Sequence, residues 1–272
     1  MVICLLVLGI LPCASVSGAA EQTIGLPPEH ALERPPAGIQ AFHPGETLTY
    51  DVSWSNIFSA GTVTMAVERS TLADEDDREV LTFVVQGRTH GLMDKFFSVN
   101  DTVQSVFDPR LMQSRSYSLK ESYGKKKRLR VTEFDHAKRS AVCRLNEDPP
   151  ETLTVPEPVQ DGLSMLYYLR TREDRTIGRK RDIDVVDSGK VWTMEVSLLA
   201  REKVVTAAGE FATVKIRLYP KGKEASTKKR EIFVWLTDDD RKVPVLMKTE
   251  LKVGSFVFEL AGMQPGIHRF TQ

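Results

Sequence analysis

The chain has 272 residues, with 37 Lys plus Arg balancing 37 Asp plus Glu and an apolar fraction of 41%. A chain of this size buries roughly 70–75% of its unfolded surface, so it needs neither a structural metal nor disulfides to be stable. A formal net charge of +0 argues against nucleic acid as the main partner, because polyanion binders usually carry a basic excess.

Residues 1–20 read as a secretory signal peptide. Val2 to Ala14 is an apolar run too short to span a bilayer, and Ser17-Gly18-Ala19-Ala20 supplies the small residues of a cleavage site. No Lys or Arg precedes the run. Cys13 raises the alternative of an outer-membrane lipoprotein, which Pro12 opposes by standing where a small residue should precede the lipidated cysteine. With Cys4 and Cys13 in the signal, Cys143 is the only thiol expected in the mature chain, so no internal disulfide framework is expected. A periplasmic or otherwise exported protein with no transmembrane span in its mature form follows. Residues 21–41, with Pro27, Pro28, Pro35 and Pro36, form an extended leader.

A single β-rich domain is expected over 42–264. Leu48, Tyr50, Val52 and Trp54 alternate with Thr47, Thr49, Asp51 and Ser53, the period of two of a half-buried strand. Val63, Met65 and Val67 repeat the pattern, and Gly61 before them permits a close approach that a side chain would forbid. The acidic stretch Leu72 to Arg78 reads as a solvated turn, since it lacks the glycine and terminal glutamate of a calcium loop. Val80, Leu81, Phe83, Val84 and Val85 are apolar on both faces, as in a strand covered on its outer side. His90 to Phe97 predicts a turn or short helix that plugs the sheet, and strands resume through Val99–Phe107 and Met112–Tyr123. The basic run Gly124 to Arg130 suits either a hairpin tip, where lysines discourage edge pairing, or an anionic headgroup.

The strand pattern breaks at Glu147-Asp148-Pro149-Pro150 and Pro156-Glu157-Pro158. A helix over about 161–173 follows, capped by Asp161, with Leu163, Leu166, Tyr167 and Arg170 at helical spacing and Met165 and Leu169 widening the apolar face. Arg170 either meets a ligand carboxylate or phosphate, pairs with a strand carboxylate or lies along apolar surface. From Ile183 onward the chain is nearly all strand, through Trp192, Met194, Val196 and Leu198, then Val214, Ile216 and Leu218, then Ile232 to Leu236 and Val245 to Leu260. Residues 265–272 form a C-terminal tail. The fold class is all-β: about 12 to 14 antiparallel strands in a long meander, curved into an open or closed barrel with one packed helix. A two-sheet sandwich is the alternative.

Gly45-Glu46-Thr47-Leu48-Thr49-Tyr50-Asp51-Val52-Ser53-Trp54 followed by Ala60-Gly61-Thr62-Val63 resembles the opening of a bacterial family of exported proteins known only as a domain of unknown function, number thirty-one-oh-eight. Further matches lie at Asp101 to Phe107, Asp161 to Arg170, Gly209-Glu210-Phe211 and Val234 to Pro244, so the resemblance spans about residues 42–262. It implies export and a β-rich fold, with no established activity.

The chemistry visible in the sequence is sparse. The histidines at 30, 43, 90, 136 and 268 show no metal-ligand spacing, and there is no nucleophile elbow, phosphate loop, dinucleotide fingerprint or Cys-x-x-Cys. Neither a cofactor nor a metal is expected. Cys143 reads as a small, partly buried hydrophobe, and Asp238-Asp239-Asp240 reads as a turn, although such carboxylates also serve as acid, base or metal ligands. The function expected is non-catalytic binding of an envelope lipid or glycan on the concave face of the sheet. Its candidate ligand residues are Tyr50, Trp54, Tyr117, Arg170 and Trp192. An envelope assembly protein with a solid core, and a hydrolase of envelope polymers using Asp and Glu, are the alternatives.

Overall fold

A computed structural model describes residues 41–266, apart from 73–77, 97, 125, 223–230 and 251–253. The expected signal peptide, nearly all of the leader, most of the acidic loop and the end of the tail lie outside the described residues.

The first strand lies in the middle of one sheet, and those that follow walk to its edge. β1 (Thr47–Trp54), β2 (Phe58–Leu72), β3 (Arg78–Thr89), β4 (Asn100–Asp108), β5 (Gln113–Tyr123), β6 (Lys126–Asp135), β7 (Ser140–Leu145) and β8 (Glu151–Thr154) each pair antiparallel with the strand before. A short helix, α1 (Gly91–Phe96), joins β3 to β4. The chain then crosses to the opposite edge through β9 (Val159–Asp161) and α2 (Gly162–Arg170). It walks back through β10 (Lys180–Asp187), β11 (Lys190–Thr206), β12 (Gly209–Pro220), β13 (Ile232–Thr237), β14 (Pro244–Glu250) and β15 (Ser255–Gln264), which pairs with β1. The result is a 15-stranded sheet with β8 and β9 as its edges.

Alternating apolar residues set which face turns inward. Leu48, Tyr50 and Val52 of β1 are buried opposite Met65, Val63 and Gly61 of β2, and the register slips between Val52 and Ser53. Gly61 is required there: a Cβ would lie 2.1 Å from the Arg88 carbonyl oxygen on β3. β3 is buried on both faces, with Val80 and Val84 on one side and Leu81, Phe83 and Val85 on the other.

So many twisted strands cannot lie flat. The sheet rolls until its two arms meet, and the seam is made by side chains. The Val159 N–H donates to Gln113 Oε1 at 3.1 Å, and Gln160 Nε2 donates to the Met112 carbonyl at 2.7 Å. β6 to β8 run past this seam and pack on β9 and β10 around a second small core of Phe134, Ala141, Cys143, Val155, Val159 and Val186. The long β11–β12 hairpin, kinked by a register shift between Leu198 and Ala200, bends back so that the Ala208 N–H donates to the Leu260 carbonyl at 3.2 Å.

α2 fills the interior. Asp161 caps it, accepting from the Leu163 and Ser164 backbone N–H groups, and Gly162, Leu163, Ser164, Met165, Tyr167, Leu169 and Arg170 are all buried. Tyr167 stacks on Phe83 of β3, centroids 3.8 Å apart and planes within 4°, while Phe42 meets both rings edge-on. The barrel is therefore open in its backbone hydrogen bonding, with α2 and its aromatic neighbours packed inside.

The fold class agrees with the all-β barrel reading, with three differences of detail. There are fifteen strands because the Pro-flanked stretch read as a break holds two short ones, β8 and β9. β9 runs parallel to β10, which a helical crossover permits. α2 ends at Arg170 with Thr171 as its C-cap. The turn or short helix expected over 90–97 is α1, whose Met93 packs on the core. A sandwich does not form.

Candidate functional site

The five sequence candidates are not brought to one place. Tyr50 and Arg170 do meet in the interior. Tyr50, 0% exposed, donates its hydroxyl to the Pro244 carbonyl at 2.7 Å, tying β1 to β14. Arg170, 1% exposed, makes a two-pronged ion pair with Glu46, Nη1 to Oε1 at 2.6 Å and Nη2 to Oε2 at 2.8 Å. It also donates to the carbonyls of Ala41 and Arg241, and it lies over the Phe42 and Tyr167 rings. Of the two partners weighed for Arg170, a strand-side carboxylate is the one present. Tyr117 is buried on β5. Half-buried Trp54 packs edge-on against Phe256, over Gly254, where a Cβ would come within 2.6 Å of the indole. Half-buried Trp192 sits on β11 opposite Val185 and donates its indole N–H to the Asp187 carbonyl at 3.4 Å.

The other candidate groups have structural partners as well. Asp239 builds its turn by accepting from Thr237 Oγ1 at 2.6 Å and from the Arg241 and Lys242 N–H groups. Asp238 pairs with Arg175 at 3.1 Å and Arg201 at 2.9 Å, and these hydrogen bonds outweigh its partial desolvation and hold its carboxyl below the usual range. Asp161, fully buried, accepts from four donors, including Ser105 and Ser114 at 2.6 and 2.5 Å. Burial nonetheless pushes its carboxyl up. Cys143 is buried and its thiol is likewise pushed up by burial. In the basic run, Arg130 reaches Ser188 at 2.7 Å, Arg128 lies 3.9 Å from Glu121, and Lys126 and Lys127 are exposed. No group of His, Cys, Asp and Glu able to hold a metal occurs among the described residues.

Two clefts stand out among the described residues. One, of about 90 Å³, lies beside Phe42, Glu46 and Arg241. The other, of about 30 Å³, lies where α2 ends and the following segment crosses the barrel mouth. Both are far below the ~300–1,000 Å³ typical of a small-molecule pocket. The second is the more distinctive in chemistry. Its floor is apolar, from Leu169, Val196, Leu198, Val214, Ile216 and Leu236, and its rim carries Arg172, Arg175, Arg181 and Lys242 with Asp174 as the lining acid.

The rim has several anchors. Arg172 lies over the Tyr168 ring at 5.1 Å, Arg181 Nη2 is 3.3 Å from Asp174, and Arg175 reaches Asp238 and, at 3.5 Å, Asp240. Lys242 is 9% exposed, and among the described residues its ammonium donates only to the Asp240 carbonyl at 3.3 Å. Burial, then the neighbouring Arg175, lowers the Lys242 pKa; burial, then Arg172, lowers that of Arg181. Apolar surface ringed by crowded cations, two of them partly desolvated, suits an anion attached to an apolar body. Sequence reading missed this rim because its cations come from separate segments; the charged run Arg170-Thr171-Arg172-Glu173-Asp174-Arg175 was its only local trace.

A helix-filled, side-chain-sealed roll of one sheet places the molecule among β-barrel-like proteins. The chain belongs to the family described as "Protein of unknown function (DUF3108)", which matches residues 49–261. Among solved structures it is similar to a β-barrel-like protein of domain of unknown function DUF1849 from Brucella abortus, at 12% identity over 84% of this chain and 100% of that one, with a TM-score of 0.56. That likeness is one of fold. A candidate lipoprotein from Parabacteroides distasonis and a protein with a YmcC-like fold from Bacteroides fragilis each align at 10% identity with a TM-score of 0.33. They cover 82% of this chain and 97% and 98% of their own chains. No curated protein matches the sequence. No helix among the described residues is long and apolar enough to cross a membrane.

Proposed function

We propose that the protein is a non-catalytic, exported component of the bacterial envelope that binds an envelope lipid at the mouth of its barrel. The observation that carries this is the apolar floor ringed by four cations, set at the end of an interior that α2 has already filled. Because α2 and its aromatic neighbours pack against the concave face, this reading puts the ligand at the rim rather than at Tyr50, Tyr117 and Arg170. Export rests on the signal-like residues 1–20. Extraction of protein purified from its own cells, followed by mass spectrometry, tests the reading: a co-purifying lipid is expected. Repeated preparations free of any lipid would count against it.

A second reading, an envelope assembly protein acting through its outer surface, is favoured by the same solid interior. It leads if extraction stays empty while cross-linking in intact cells recovers one recurring envelope protein.

A further inference from the structure

Building on lipid binding at the mouth, we infer that the group recognised there is an anionic phosphate-bearing headgroup, and that Lys242 is its principal specificity determinant. Among the lining side chains four cations face one carboxylate. Arg175 is largely committed to Asp238 and Asp240. Arg181 spends one end on Asp174, yet its Nε is buried with no hydrogen-bond partner among the described residues.

Lys242 is the less satisfied of the two. A buried ammonium is costly unless it is paired and hydrogen-bonded. Here the only acceptor is a neutral backbone carbonyl at 3.3 Å, and among the described residues Lys242 makes no ion pair. Asp239, Asp240 and Glu173 lie in its field, but desolvation and Arg175 outweigh them and its pKa is lowered. Mutual repulsion on this rim is relieved by an arriving anion.

The class of anion follows from the donors. A guanidinium offers a planar fork matched to phosphate oxygens and an ammonium adds a point charge, so a phosphate can engage both through separate oxygens. A neutral glycan would leave the cations unneutralised. The apolar floor selects an amphiphile over a free phosphate, because it would stay wet beneath a small ion.

The test is co-sedimentation of the full chain with vesicles of phosphatidylcholine alone or mixed with phosphatidylglycerol, with glycerol 3-phosphate as a soluble competitor. Wild type is expected to bind the phosphatidylglycerol vesicles, with Lys242→Gln weakening binding about tenfold, the loss of roughly one charge-assisted hydrogen bond. Lys242→Arg is expected to retain most of the binding, and unchanged thermal unfolding certifies that both variants fold. Equal binding to both vesicle types, or indifference to Lys242→Gln in a folded variant, overturns the inference while leaving lipid binding in place. Competition by glycerol 3-phosphate as strong as that of the lipid overturns the lipid source. Failure to bind any vesicle, with no lipid recovered by extraction, overturns the underlying reading itself.

Discussion

Arg170 shows how one side chain can hold distant parts of the barrel. Its guanidinium joins the end of α2 to Glu46 before β1, to the Ala41 carbonyl and to the turn carbonyl of Arg241. Removing one member of a buried pair strands the other charge, which typically costs about 3–5 kcal/mol. Glu46→Gln and Arg170→Met are each expected to lose stability on that scale in urea unfolding. The double variant Glu46→Leu/Arg170→Met should lose much less. Full stability in Arg170→Met would remove the structural role assigned here. Asp187 gives a test of opposite character: it is buried, and burial pushes its carboxyl up, with Asp161 nearby adding to the shift. A raised folded-state pKa means that native protein holds the proton more tightly than unfolded chain does. The associated stability is complete below the ordinary carboxyl pKa of 3.8 and is lost as pH rises through the folded value. Asp187→Asn is therefore expected to gain on wild type as pH rises across that window, read from paired urea curves. A gap that stays constant with pH would contradict the assignment. At this scale the sequence was informative about type and silent about partner. Tyr50 and Arg170 were singled out as candidate ligand residues, but Pro244 lies 194 residues from Tyr50 and Glu46 lies 124 from Arg170.

Among the elements, β1, β2 and α2 were legible because their information is local: alternation for the strands, and Asp161 followed by apolar spacing for the helix. The seam was not. Gln113 and Gln160 are ordinary polar residues until the roll of the sheet sets one against the opposite arm. Gly61 sits between these cases, since its need for a bare backbone was readable while the Arg88 carbonyl that imposes it was not. Because the clash at 2.1 Å is with backbone, Gly61→Ala must part β2 from β3, and a loss of about 1–3 kcal/mol is expected from thermal or urea unfolding. A neutral substitution would show that the strands are less tightly apposed than described. The β6–β8 arm carries its own test. Cys143 lies in its small core, and with burial disfavouring the thiolate it should react with an exposed-thiol reagent far more slowly than the unfolded chain. Rapid labelling of native protein would mean that this arm opens readily from β9 and β10.

At the scale of the whole molecule, a barrel whose first and last strands, β1 and β15, pair at the centre of the sheet leaves its edges at β8 and β9, where Gln side chains and a second core cover the gap. Its interior packs α2. The binding surface proposed lies at the rim, where the loop after α2, the strand ends of the second arm and the Asp238–Lys242 turn converge. The measurement that tests this most directly is hydrogen–deuterium exchange on the full chain with and without a short-chain phosphatidylglycerol. Protection confined to about residues 169–181 and 236–242 is the expected result. Protection centred instead on β3, β4 and the first turn of α2 would place the ligand inside the barrel and contradict the account.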